Sequence, residues 1–135
     1  MMQYLVAYVA TLVVFLGIDF VWLKYVARTF YFERLGPLLL EQPNFVAAGV
    51  FYLGYVVGIV YFAVLPAMRD GGASTAVING ALLGLLAYAT YDMSNYATLK
   101  NWSLQVTLVD MVWGAALTSV SGYLGYLITN AVLTV

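Results

Sequence analysis

The chain has 135 residues, 64% of them hydrophobic and only 8% charged, with a mean hydropathy of +0.94, a formal net charge of -1 and neither Cys nor His. A soluble domain carries about 25% charged residues, so a water-facing globular surface is excluded and the bilayer is the solvent of this chain. Missing Cys and His exclude thiol nucleophiles, disulfides, imidazole acid/base chemistry and ordinary zinc sites, and a sequence pI near 4.9 gives no basic footprint for nucleic acid as a partner.

At about 30 Å of hydrocarbon and about 1.5 Å per residue, a crossing helix uses about 20 residues. The length therefore accommodates four, at most five, spans in one transmembrane domain. Gln3 to Leu23 is an apolar run whose only ionisable residue is Asp19. It lacks the positive charge that precedes the core of a secretory signal peptide, so it is expected to stay in the mature protein as the first span, 3–23.

Lys24 to Pro43 mixes Lys24, Arg28, Glu33, Arg34 and Glu41 with Phe30, Tyr31, Phe32 and Leu38 to Leu40. Charge interleaved with aromatics suits the membrane interface, and the segment is expected to form a short helical elbow broken near Gly36-Pro37. The second span is expected over 44–65, with Pro43 where a helix starts and Pro66 where it stops. Arg69-Asp70-Gly71-Gly72 makes a tight connection. Ser74 or Thr75 then caps a third span, 75–96, after which Lys100, Asn101 and Trp102 mark the interface. The fourth span is expected over 103–129. These elements predict an all-α, four-helix membrane bundle with an interfacial elbow between the first two helices.

Lys24, Arg28 and Arg34 fall in the first connection and Lys100 in the third, against Arg69 alone in the second. The positive-inside rule then places the first and third connections in the cytoplasm and both termini outside it. Helices in lipid associate through close approach of small residues and interhelical hydrogen bonds. Gly54-x-x-x-Gly58 and Gly80-x-x-x-Gly84 have the small-residue spacing, while Ser103, Thr107, Asp110, Gly114, Thr118, Ser121 and Gly125 form one small or polar stripe. That stripe is expected to face inward. Asn79 is read as a helix-packing hydrogen bond.

Three of the six acidic residues, Asp19, Asp92 and Asp110, lie within the expected spans. A charged side chain at the bilayer centre costs about 2.5 to 3.5 kcal/mol or more, so such a residue usually has a partner or a task. Counting back from the span ends puts all three roughly 6 to 10 Å below the same face. Trp22 follows Asp19 by three and Trp113 follows Asp110 by three, so each pair shares a helix face. Tyr88, Asp92, Asn95 and Tyr96 cluster on one side of the third helix, with Lys100 beyond them. The repeated Asp-x-Val-Trp string is read as shared local chemistry and not as an internal repeat, because the first and fourth helices run oppositely: Trp22 lies toward the water from its Asp and Trp113 toward the bilayer centre.

Carboxylates beside Trp and Tyr suit an organic cation or a polar headgroup. The structural alternative is that Lys24, Arg28 and Lys100 snorkel into the same layer and neutralise the aspartates as ion pairs. A metal would need oxygen ligands, hence magnesium, calcium or manganese. Nothing specifies a cofactor.

The string Tyr88-Ala-Thr-Tyr-Asp92-Met-Ser-Asn95-Tyr96-Ala-Thr-Leu-Lys100-Asn-Trp102, followed by Val109-Asp110-Met-Val-Trp113-Gly114, resembles the bacterial membrane-protein family called domain of unknown function 2177. Asp19-x-x-Trp22 fits the same pattern. The resemblance implies a small integral protein of the bacterial inner membrane and supplies no reaction. Three functions remain open on the residues. One is binding or transport of a small polar or cationic ligand, or of a proton, at Asp19, Trp22, Tyr88, Asp92, Asn95, Tyr96, Lys100, Asp110 and Trp113; transport through four short helices predicts a homo-oligomer. The second is a lipid-modifying enzyme or its accessory subunit, with Asp92 and Asp110 as acid and base and Asn95 or Lys100 on a headgroup. The third is an assembly partner in a membrane complex.

Overall fold

The computed structural model describes residues 2–36 and 44–134, with the backbone alone for Ala27, Arg28, Phe32 and Thr134. It is helical, with no strand among the described residues. Helix α1 spans Met2–Val21 and runs through a π-helical stretch, Trp22–Ala27, into α2, Arg28–Leu35. Helix α3 spans Phe45–Ile59 and continues through π-helical stretches at Val60–Val64 and Ala67–Gly71. Helices α4, Gly72–Thr98, and α5, Leu104–Thr134, complete the chain. Pro37, Leu38 to Leu40, Glu41 and Pro43 lie outside the described residues, as do the side chains of Arg28 and Phe32.

Three helical stretches are long and apolar enough to cross a membrane, Met2–Val26, Phe45–Thr98 and Leu104–Leu133. The middle one is 54 residues long and folds back on itself. Gly72 has φ 71°, a left-handed conformation open to glycine, and beyond it the Asn79 side chain donates from Nδ2 to the Phe62 carbonyl oxygen at 2.9 Å. Farther along the same pair of limbs, the rings of Tyr55 and Tyr88 lie 6.3 Å apart. The two limbs are therefore antiparallel neighbours.

Two details of this hairpin correct the expectation. Pro66 does not stop the second helix, which passes through it at helical angles, φ -59° and ψ -37°. In the preceding π-helical stretch the Leu65 N–H reaches back to the Val60 carbonyl, and a wider turn relieves the clash a proline ring makes with an α-helical backbone. Neither Ser74 nor Thr75 caps α4, because the Gly71-Gly72 reversal starts the helix earlier and no side chain caps it. Asn44 caps α3, accepting the Ala47 N–H at 3.1 Å, and Ser103 accepts the Val106 N–H at 3.1 Å ahead of α5.

The stripe on α5 faces the interior, where Thr107, Gly114, Thr118, Ser121 and Gly125 are all buried. It meets α4 backbone to backbone: a Cβ placed on Gly84 would collide with the Gly114 carbonyl oxygen, as small-residue packing in lipid requires. The other glycine pair behaves differently. Gly54 and Gly58 have no atom of the described residues within 4 Å of a Cβ position, so they bring no described helices together. Interhelical hydrogen bonds supply the rest: Tyr8 to the Leu53 carbonyl at 2.9 Å, Tyr55 with Thr118 at 2.7 Å, and Ser119 to the Val77 carbonyl at 2.9 Å. Phe15 packs edge-on against Tyr52 and Tyr55 at the centre of the apolar core.

Candidate functional site

A cleft of about 390 Å³ opens at the end of the bundle where α1 passes into α2 and α4 into α5. Asp19 from α1, Asp92 from α4 and Asp110 from α5 all line it, together with Trp22, Tyr88 and Trp113. Asn95, Tyr96 and Lys100 are not among its lining residues; Tyr96 and Lys100 are exposed on the flank of α4 and in the loop that follows. Four aromatic walls come from residues the sequence had not marked as a site: Tyr31, Tyr52, Tyr91 and Trp102. Tyr52 sits on a helix stretch with no charged residue, so a search that starts from ionisable groups passes it by. Its spacing of three from Tyr55 is the one local signal.

Helix α2 is a cap over this cleft and not only an interfacial elbow. Its Tyr31 hydroxyl donates to Asp110 Oδ1 at 2.5 Å, and one turn later Arg34 Nε donates to Gln105 Oε1 at 2.6 Å. Leu35, buried, also lines the cleft. Burial, followed by the Asp110 carboxylate that accepts its hydrogen bond, pushes the Tyr31 phenol above its ordinary range. The phenol therefore stays a donor.

The three carboxylates differ in their surroundings. Asp19 lies beside the Tyr52 hydroxyl and the Trp113 indole. Asp110 is held by Tyr31. Asp92 is adjacent to Asp110 and 0% exposed, and neither of its oxygens has a hydrogen-bond partner. The Trp113 indole nitrogen is buried too, with Asp19 as its polar neighbour.

Ion pairing with Lys24 or Lys100 does not account for these carboxylates. Among the described residues the ion pair is Arg34 with Glu33, at 3.5 Å; Lys24 Nζ instead sits over the rings of Phe20 and Tyr25, at 5.8 and 5.2 Å. A lysine on a flexible stem reaches water along the aromatic belt more cheaply than it enters a buried layer. Arg28, the third basic residue considered, has its side chain outside the described residues. No group of three or more acidic side chains among the described residues is arranged to hold a metal ion.

Trp22 and Trp113 form one wall as a stacked pair, 4.1 Å between centroids and 10° between planes. The stack corrects the expected common depth: each indole lies three residues, about 4.5 Å, from its Asp in the opposite sense along antiparallel helices, so indoles at one level put Asp19 about 9 Å deeper than Asp110.

A membrane-embedded helical protein with an acidic and aromatic cleft at one end is the class this architecture defines. The family model described as predicted membrane protein (DUF2177) matches residues 4–127, and the chain belongs to that family. Neither a curated protein nor a solved structure matches the chain.

Proposed function

We propose that the chain crosses the bacterial inner membrane four times and uses its cleft to bind, or to carry, a small polar or cationic ligand. The antiparallel limbs on either side of Gly72 support four crossings. Lys24, Arg34 and Lys100 gather at the cleft end and Arg69 at the other, which by the positive-inside rule turns the cleft toward the cytoplasm and both termini away from it.

One observation carries the binding reading: Asp19, Asp92 and Asp110 line the same aromatic cleft, and no described Lys or Arg pairs with them. Buried carboxylates without a counter-charge are strongly unfavourable. Indole and phenol faces next to such negative charge attract organic cations by about 0.5 to 2 kcal/mol each. A bound cation resolves both facts at once.

The test uses the purified chain and the variants Asp19→Asn, Asp92→Asn and Asp110→Asn, with exposed Asp70→Asn as control. Thermal unfolding is followed with ethylammonium, guanidinium and tetramethylammonium. Stabilisation of the unaltered chain and the control by at least one cation, lost in the cleft variants, is the expected result. Identical responses from all proteins, or no response from any, would reject the reading.

A further inference from the structure

We infer that the ligand is an amphiphilic primary amine, with its ammonium head at Asp92 and a single alkyl tail in the groove beyond the Trp22–Trp113 wall; this rests on the cation-binding reading and narrows it. The head follows from Asp92. Its carboxylate lines the cleft, is 0% exposed, and has two oxygens with no donor. Neighbouring Asp110 already takes the Tyr31 hydroxyl, and a proton shared between the two carboxyl groups would still leave an Asp92 oxygen without a donor. Leaving a buried acceptor unmade is costly, so an occupant that fits must bring N–H groups as well as positive charge. A primary ammonium has three donors. A quaternary ammonium has none and would leave Asp92 unsatisfied.

The tail follows from what lies behind the indoles. A second hollow, of about 370 Å³, shares Trp22 and Trp113 with the cleft and is otherwise lined by Leu108, Val109, Val112 and Ala116. Leu108 and Val112 are 54% and 69% exposed, so this groove opens sideways onto lipid. The stacked pair thus borders both the carboxylate cleft and an apolar groove, the polarity of an alkylamine laid across it. Phosphate-bearing aminolipids do not fit, because three carboxylates and no described basic side chain line the head site. Charge complementarity selects an amine without an attached anion.

The test places the chain in phosphatidylcholine nanodiscs at neutral pH and follows tryptophan fluorescence and thermal stability. The titrants are decylammonium, decyltrimethylammonium, ethylammonium and phosphatidylethanolamine. Decylammonium is expected to bind about tenfold or more tightly than its trimethyl counterpart, whose equal tail cancels membrane partitioning, since hydrogen bonds to a buried charge carry that difference. Asp92→Asn should remove the preference and Asp70→Asn keep it. Val112→Trp, which fills the groove, should weaken decylammonium binding several-fold. If Asp92→Asn does not fold, the titrant series and Val112→Trp still decide. Equal binding of the two decyl cations, undiminished binding in Val112→Trp, or tighter binding of phosphatidylethanolamine would each overturn the inference. Saturable, Asp92-dependent binding of ethylammonium at or below the decylammonium concentration would overturn the tail while leaving the cation-binding reading intact. Failure of every cation to bind would remove both.

Discussion

Trp22 and Trp113 stack with their ring centroids 4.1 Å apart, joining the two Asp-x-Val-Trp strings of α1 and α5 across the acidic cleft. The stack lines both that cleft and the apolar groove beside it. An aromatic pair of this kind contributes about 0.5 to 1.5 kcal/mol beyond its buried area. A double-mutant cycle with Trp22→Leu and Trp113→Leu, read by unfolding in detergent, should therefore show a coupling of about 1 kcal/mol. Strict additivity would mean that the two indoles are neighbours without energetic contact.

Tyr31 ties the α2 cap to Asp110. Tyr31→Phe removes a donor to a charged acceptor and should lower stability by about 1.5 to 3 kcal/mol. The pH dependence has a definite sign. Because the phenol is held above its ordinary range in the fold, the unfolded chain loses this proton first, at about pH 10. The contribution is complete below that pH and declines as the pH rises through it. Melting curves of Tyr31→Phe should consequently fall less steeply above about pH 10 than those of the unaltered chain; parallel curves would contradict the assignment.

Backbone contact between Gly84 and Gly114 leaves no room for a side chain, whereas Gly54 has no described atom within 4 Å of a Cβ position. Gly84→Val should destabilise the bundle by about 3 kcal/mol or more, because a β-branched side chain forces α4 and α5 apart. Gly54→Val should stay within about 1 kcal/mol of the unaltered protein. Comparable losses from both would show that the second-span glycines also hold helices together.

With no native Cys in the chain, single cysteines report topology cleanly. Arg69→Cys, beside the Gly72 reversal, and Lys100→Cys, in the turn before α5, should be labelled by an impermeant maleimide from opposite sides of sealed vesicles. Lys100→Cys is expected on the cytoplasmic side. Labelling of both from one side would contradict four crossings.

Much of the fold was legible because lipid imposes hard local rules. Apolar runs longer than a bilayer is thick, helix starts near Asn44 and Ser103, and small residues at spacings of three and four are all properties of short stretches. The failures come from longer range. Pro66 looked like a terminator because the π-helical stretch that accommodates it depends on how the hairpin closes. Gly54-x-x-x-Gly58 had the right spacing and no described helix against it, since spacing describes one surface and packing needs two.

The candidate site divides the same way. The sequence alone determined the solvent and the all-helical character, because hydropathy and its run length are local quantities. Only the tertiary structure decided that Tyr31 and Tyr52 join Asp19, Asp92 and Asp110 while Asn95, Tyr96 and Lys100 do not line the cleft, and that the two tryptophans meet. Counting sets spacing along one helix, but the shift, rotation and neighbour of each helix are set between helices by packing, and packing determines which side chains share a cleft.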